Sequence, residues 1–429
     1  MLPPRRWRAR RSGRLDLVNR SALNERTILN DSTQRPLDGL RVIEAGQLLA
    51  GPFAGTILGY FGAEVIKVEP PGAGDPIRRW RKLRNGQSLW WSSLARNKKS
   101  VTLDLKSARG RELMRQLIET ADVLVENFKP GTMEKWDLGP DEFKQKNPGL
   151  IYARISGYGQ TGPSAPKPGF ASVCEGFGGF RYVNGFPGES PVRPNLSMGD
   201  TLAGIHAALG ILLAYINRNR AENGTGQVVD IAIFESVFNL LEGVVPEYDG
   251  AGMIREPSGS TLTGIVPSNT YRCGDGKLIV IGANTESMFK RLSKVMGQPE
   301  MGDDPRLSDN NKRVEHQEEI DGKIAAWASS YPAATALSHL DDGGVAAGPI
   351  YSVADIFEDP HYEARGLLQE VTVDGEPLTI PAILPHLEGT PGRTDWPGPR
   401  LGSHNEEIFS EVLKLSSDEQ ATLRDTGVI

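Results

Sequence analysis

The sequence predicts an α/β protein whose main domain is a Rossmann-like parallel sheet, followed by a smaller α+β domain. Three observations lead there. Short apolar strands alternate with helical stretches from residue 41 to residue 155, the signature of a parallel sheet covered on both faces. A Gly-, Pro-, Ser- and Thr-rich break over 243–267 separates that region from a hairpin with helices behind it. The 429 residues, 38% hydrophobic and 24% charged, are enough for two or three domains with substantial cores.

In order, Arg41–Gly46 reads as a strand, and Gly51-Pro52 opens a helix running to about Phe61, with Pro52 suited to a first turn. Ala63–Glu69 is the second strand of this βαβ unit. Ser100–Leu105, a helix Ala108–Thr120, Asp122–Glu126, a helix over 132–146 and Leu150–Ile155 repeat the alternation. Gly157-Tyr158-Gly159-Gln160-Thr161-Gly162-Pro163 and Gly176-Phe177-Gly178-Gly179 are tight turns. Leu202–Ile216 is an alanine- and leucine-rich buried helix ending in Asn217-Arg218-Asn219-Arg220, whose charge suits the carbonyl end of the helix dipole. Gln227–Ile233 is a further strand, followed by a helix over 235–242. The smaller domain spans 268–335: a hairpin from Tyr271–Cys273 and Lys277–Ile281, then helices near 285–296 and 311–329. A return crossing at 336–352 leads to 353–429, with a helix at 352–358, strands near 368–373 and 377–382 and a last helix at 404–414.

Composition excludes several function classes. A net charge of −6 argues against nucleic acid as the main partner. The two cysteines, Cys174 and Cys273, lie far apart with no Cys/His cluster, which disfavours structural zinc and a disulfide framework. The longest apolar run, 202–216, is shorter than a bilayer span and is interrupted by His206. Residues 1–35 stand apart from the fold. Met1–Arg20 carries seven arginines and a single acid, Asp16, as in a mitochondrial targeting segment, an unstructured tail or a misassigned start. The chain is therefore expected in the cytoplasm or the mitochondrial matrix.

The candidate chemistry centres on Ser197-Met198-Gly199-Asp200-Thr201. A carboxylate at the opening of a helix is expected to be held ionised by the free backbone N–H groups, with Gly199 leaving room for a ligand; the competing reading makes Asp200 a plain N-cap. In such a sheet, ligands bind beyond the carboxyl ends of the strands. The cations near those loops are Arg78 and Arg79, Arg96, Lys98 and Lys99, Lys106, Lys129 and Lys135. Each alone reads as a solvated charge, and together they read as one phosphate cradle, with Phe128 as a flat partner for a base. His206 reads as a core or interface residue.

Met198-Gly199-Asp200-Thr201, about thirty residues after Pro168-Gly169-Phe170, resembles the nucleophile segment of the family III CoA-transferases, the CaiB/BaiF family that includes formyl-CoA transferase. The resemblance runs from Pro36 to the C-terminus through Leu37–Ile43, Ala50–Phe53, Leu58–Glu69, Gly74-Asp75, Arg96–Ser100, Asp122–Phe128, Pro130-Gly131, Gly157–Pro163 and Gly199-Asp200. It implies a large domain built from both ends of the chain (36–242 and 353–429), linkers at 243–267 and 336–352, and an interlocked homodimer. It places CoA contacts on Leu49, Ala50, Leu105, Lys106, Asn127, Phe128, Lys129 and Lys135, and on the segment 168–171 with Phe170 and Ala171. The chain departs from some relatives at Leu49, where they carry Gln, and at Pro70, where they carry Arg. The Gly-rich lid of formyl-CoA transferases is matched only loosely, by Ser258-Gly259-Ser260 and Thr263-Gly264-Ile265.

The implied reaction moves CoA from an acyl-CoA, succinyl-CoA or another short-chain or dicarboxylic one, to a carboxylic acid. It runs through an aspartyl-acyl anhydride and an aspartyl-CoA thioester on Asp200, with no metal and no cofactor beyond CoA itself. Arg181, Arg193 or a residue of the smaller domain are candidates for a distal carboxylate, with a surface ion pair as the competing reading of each arginine. Two alternatives compete: an α-methylacyl-CoA racemase-like enzyme, whose His-Asp base pair falls here on Phe170 and Ala171, neither able to take a proton, and a CoA-binding protein without turnover.

Overall fold

A computed structural model describes residues 34–429, so the tail or targeting segment falls, but for its last two residues, outside the described residues. Six parallel strands form the main sheet in the spatial order Lys98–Thr102, Glu64–Glu69, Arg41–Glu44, Val123–Glu126, Ile151–Ser156, Val228–Ala232. Numbered by sequence within the sheet, that order is 3-2-1-4-5-6, the Rossmann arrangement, and its direction reverses between Arg41–Glu44 and Val123–Glu126.

Alternate residues of each strand feed two apolar layers. Val42, Val65, Val123, Val125, Ile151, Ala153 and Ile155 pack with the helices Ala50–Tyr60 and Met198–Arg220. Ile43, Ile66, Val101, Leu124 and Tyr152 pack with the helix Ala108–Glu119 and with Ile408, Phe409 and Leu423 from the C-terminal helices Asn405–Glu411 and Ser417–Asp425. The C-terminal segment also closes the sheet's open edge. Ser100 N–H donates to His404 Nδ1 at 3.1 Å and Thr102 N–H to Asn405 Oδ1 at 2.8 Å, taking groups that an edge strand otherwise leaves unpaired. A separate core lies under a three-stranded antiparallel sheet of Ala347–Pro349, Leu278–Gly282 and Ser268–Arg272, and draws its residues from 266–345 alone.

Several element expectations are corrected. The helix expected over 132–146 is one turn, Thr132–Lys135, followed by a 3-10 turn at Pro140–Phe143, because Asp137 turns left-handed (φ 54°) and Pro140 starts afresh. Val244–Ala251, read as linker, is helical. The helix over 311–329 is two, Asn310–Glu315 and Gln317–Ser329, parted at His316. The chain ends in an additional helix, Ser417–Asp425, started by a capping box between Ser416 and Glu419. The apolar helix is longer than its apolar run: Met198–Arg220, 23 residues, is long and apolar enough to cross a membrane by length and composition. Its Ala203, Ala207, Ile211 and Ala214 side is nevertheless packed in the core.

Beneath the strand-order reversal lie three cations and three carboxylates, five of the six side chains at most 1% exposed. Glu44 meets Lys67 Nζ at 3.1 Å and Lys98 Nζ at 2.8 Å, Lys67 meets Asp75 at 2.9 Å, and Arg78 Nε meets Glu69 at 2.7 Å. Burial works against the charge on Lys67, but the Asp75, Glu44 and Glu69 carboxylates hold its pKa above the ordinary lysine value. Lys98, more exclusively dependent on Glu44, is pulled down by burial to about 8. Removing one partner of a buried pair strands the other charge in a poorly polarisable interior. Glu44→Gln is therefore expected to lower the unfolding free energy by about 3–5 kcal/mol, read as a lower urea midpoint at pH 7; an unchanged midpoint contradicts it.

Candidate active site

The loops at the strand-order reversal are built around two side chains. Asn127, just past Val123–Glu126, accepts Gln47 N–H on Oδ1 (2.7 Å) and donates Nδ2–H to Gln47 O (2.8 Å). Asp75 accepts Leu48 N–H at 3.1 Å and Ile77 N–H at 3.0 Å. Together they fix Leu48 in a left-handed conformation (φ 64°), a strained state for a leucine that survives only where the surroundings over-determine it. The helix carrying Leu49 and Ala50 at its start follows at once. Lys98 Nζ donates to Pro52 O in its first turn at 2.6 Å.

That first turn abuts the long helix. A Cβ on Gly204 would lie 2.8 Å from Ala50 O and 3.0 Å from Phe53 Cβ, so the two helices touch backbone to side chain only because residue 204 is glycine. Asp200 lies one turn earlier on that helix. The helix Ala171–Phe177 closes the other side: a Cβ on Gly199 would lie 3.3 Å from Ala171 Cβ and 3.4 Å from Glu175 Cγ. That helix is reached through a backbone-to-backbone contact between Gly157 and Gly169, where a Cβ on either would meet the other's Cα within 2.9 Å.

Asp200 is the third residue of its helix; the N-cap is Ser197, which makes no side-chain capping bond. The N-cap reading of Asp200 is therefore replaced. Burial, and then the Glu175 carboxylate beside it, push its pKa up to about 6, with Arg193 pulling the other way. Gly199 N–H, one of the open amides of the first turn, donates to Glu175 Oε1 at 3.2 Å.

Glu175 belongs to none of the sequence motifs that point to the site. It is 0% exposed, and besides Gly199 it binds Arg193 (Nε–Oε2, 3.0 Å) and Arg181 (Nε–Oε2, 3.4 Å). The available signal was an acid inside the apolar stretch Ala171–Phe177, followed by two arginines within twenty residues. Cys174, on the same turn, is buried with its thiol pKa pushed up by burial to about 11, so it is neutral near pH 7.

The expected phosphate cradle is divided. Lys98 is spent in the buried charge network, Arg96 is 1% exposed and donates to Ser93 O and Pro381 O, and Lys99 pairs with Glu64 and Glu407. All three lie at or before the amino end of the Lys98–Thr102 strand, away from the ligand edge, and are corrected as candidates. Lys106, Lys129 and Lys135 follow the carboxyl ends of strands, are exposed, and have no ion-pair partner among the described residues. Phe128 is half-buried, edge-to-face with Trp136 at 5.2 Å, and Leu105 packs partly into the adjoining core. Phe170 is 69% exposed at the start of its helix, whereas Ala171 is 4% exposed. His206 is half-buried within its helix, with Nδ1 2.9 Å from Leu202 O and Nε2 3.3 Å from Asn239 Nδ2. The loop that loosely matches the lid reaches the same region: Tyr182 O–H donates to Glu256 at 2.7 Å and Gly259 N–H to Gly185 O at 2.9 Å.

Comparison with known proteins agrees across nearly the whole described chain. The family model described as CoA-transferase family III matches residues 37–405. A succinyl-CoA:D-citramalate CoA-transferase of Chloroflexus aurantiacus is 49% identical over 397 residues, covering 92% of this chain and 98% of that protein. A succinyl-CoA:glutarate CoA-transferase of Mus musculus is 32% identical, covering 98% and 96%. The crystal structure of a CaiB/BaiF family protein from Brucella suis superposes with a TM-score of 0.78 at 32% identity, covering 88% of this chain and 100% of that one.

With a pKa of about 6, Asp200 is carboxylate above that pH and acid below it. If the carboxylate is the reactive form, kcat/KM for an acyl-CoA rises with pH through a midpoint near 6 and is about tenfold below its plateau one pH unit under the midpoint. Glu175→Gln removes a like charge and is expected to move that midpoint to lower pH. A pH–rate profile of both proteins checks the direction, and a midpoint moving upward contradicts it.

Proposed function

The chain belongs to CoA-transferase family III and is a CoA-transferase, and we propose that it moves CoA from succinyl-CoA to a second dicarboxylic acid with Asp200 as nucleophile. The observation that carries this reading is the position of Asp200. It stands in the first turn of the Met198–Arg220 helix, between the helix that begins at Leu49-Ala50 and the helix that begins at Phe170-Ala171. The relatives from Chloroflexus aurantiacus and Mus musculus, both named for succinyl-CoA and a dicarboxylic partner, supply the substrate class.

In the proposed sequence an Asp200 Oδ attacks the thioester carbonyl of the donor: a C–O bond forms, the C–S bond breaks and CoA leaves as thiolate. The thiolate then attacks Asp200 Cγ of the mixed anhydride, releasing the donor acid as carboxylate and leaving CoA on Asp200 as a thioester. The acceptor carboxylate attacks that Cγ and expels the thiolate. The thiolate returns to the acceptor's acyl carbon, and Asp200 is freed as carboxylate. Each step exchanges one acyl bond for another, so no oxidant, reductant or metal is needed. CoA must stay bound throughout while the acids change. Lys106, Lys129 and Lys135 are proposed to hold its phosphates, Phe128 its base, and Leu49, Ala50, Leu105, Asn127, Phe170 and Ala171 to line its path. The racemase reading finds no support at Phe170 and Ala171. Glu175, the acid in contact with Gly199 beside Asp200, is buried and already bound by two guanidiniums.

A homodimer is part of the proposal. Ile205, Leu209, Leu213 and Ile216 are 45–59% exposed and form a stripe on the side of the helix opposite Ala203, Ala207, Ile211 and Ala214. A contiguous apolar stripe of this kind on a 23-residue helix supports the reading of a face covered by a partner. Given the family, a second copy is the partner proposed.

Two outcomes are expected. Asp200→Asn, folded and still retaining CoA, loses CoA exchange by at least about a thousandfold. Hydroxylamine added to the parent with succinyl-CoA yields a hydroxamate on the peptide containing Asp200, seen by mass spectrometry; exchange at the parental rate by the variant sinks the scheme. Leu209→Glu with Leu213→Glu is expected to shift the mass by light scattering from two chains to one, and a parent that is already monomeric refutes the dimer.

A further inference from the structure

Resting on the proposed reaction, we infer that Arg193, anchored by the buried Glu175, recognises the second carboxylate of the acyl group while that group is attached to Asp200. The anchoring is geometric. Arg193 lays one edge of its guanidinium on Glu175, Nε at 3.0 Å from Oε2 and Nη2 at 3.3 Å from Oε1. The Oε1 oxygen also takes Gly199 N–H at 3.2 Å, so the guanidinium is tied through one carboxylate to the backbone of the residue preceding Asp200. That edge-on pairing leaves Nη1 and the outer hydrogen of Nη2 for another acceptor, since a guanidinium carries five donors in a fixed fork. The Arg193 side chain is 38% exposed, while its anchor is 0% exposed, so the guanidinium is open to a small anion and its support is not.

Arg181 binds the same carboxylate at 3.4 Å and is 27% exposed. Glu175, Arg181 and Arg193 together carry one net positive charge, and Asp200 cancels it in the resting protein. When Asp200 becomes an anhydride or a thioester its negative charge is gone, and the cluster is left with an unbalanced cation. A dicarboxylic acyl group brings the replacement charge on its far end; a monocarboxylic group of equal length brings none. The covalent intermediate of a dicarboxylate is thereby electrically balanced, and that of a monocarboxylate is not. Selectivity for diacids then comes from the loss of Asp200's own charge as much as from direct contact.

The test compares exchange of labelled succinate with succinyl-CoA against exchange of labelled butyrate with butyryl-CoA, which have equal chain length, in the parent, Arg193→Gln, Arg193→Lys and Arg181→Gln. In Arg193→Gln the succinate-to-butyrate ratio of kcat/KM is expected to fall by about ten- to a hundredfold, with kcat for succinate falling too because the contact is made in the covalent intermediate. Arg193→Lys, which keeps the charge but not the fork, retains part of the ratio. A ratio unchanged in Arg193→Gln, or both substrates falling by one common factor, overturns the assignment. Should Arg193→Gln not fold, Arg193→Lys and Arg181→Gln decide by the same ratio, a fall supporting and constancy refuting. Absence of the Asp200 hydroxamate in the parent refutes the underlying reaction and this inference with it, whereas a hydroxamate with an unaltered ratio refutes the role of Arg193 alone.

Discussion

Six charges, five of them buried and Arg78 largely so, constrain everything built above them. A carboxylate or ammonium in a protein interior is tolerated only when paired and hydrogen-bonded, so the positions of Glu44, Lys67, Asp75, Lys98, Glu69 and Arg78 are mutually determined. The network then exports its geometry. Asp75 holds the strained Leu48 backbone, Lys98 holds the carbonyl of Pro52, and the helix between them starts at one place and in one direction. Gly204 lets the long helix rest on that start, and Asp200 takes its place one turn before Gly204. A chain of close contacts thus runs from ion pairs in the sheet to the Asp200 carboxylate, and each link has little slack.

The fold was readable where a physical rule leaves one answer. Short strands bounded by turns and alternating with helices let all six strands of the parallel sheet be placed from sequence, although Val228–Ala232 is exposed at Val228 and Asp230. Helix ends were less readable. The 132–146 stretch has helical composition, but Asp137 in the left-handed region and Pro140 cut it short, and composition does not reveal a backbone reversal. The last helix, Ser417–Asp425, is announced by Ser416 and Glu419, three apart, a signal present but passed over.

The site was half readable, for a different reason. A sequence shows which residues are charged and not which charges face one another. Arg96, Lys98 and Lys99 looked like ligand cations, yet strand direction puts them at the wrong edge and two of them inside the protein. Glu175 looked like an unremarked acid and is the most connected side chain beside Asp200. What sequence did supply was the family, because the motifs stand in a recognisable order over nearly the whole chain, and through it the proposal for Asp200.

The surroundings of Asp200 set a compromise that suits the nucleophilic role proposed for it. A carboxylate that attacks a thioester must be basic enough to bond to carbon and must later leave from its own anhydride, for which lower basicity is better. Burial and Glu175 raise its basicity, Arg193 lowers it, and at a pKa of about 6 the group is still roughly nine-tenths ionised at pH 7. Removing the like-charged neighbour would leave a fully ionised but feebler nucleophile, and removing the guanidinium a stronger one that is protonated more of the time. The two opposed charges belong to one ion pair, Glu175 buried and Arg193 partly exposed, so their influences on Asp200 are coupled. The acid strength of Asp200 is therefore set first by its burial beside the neighbouring helices and then by the opposed charges of Glu175 and Arg193.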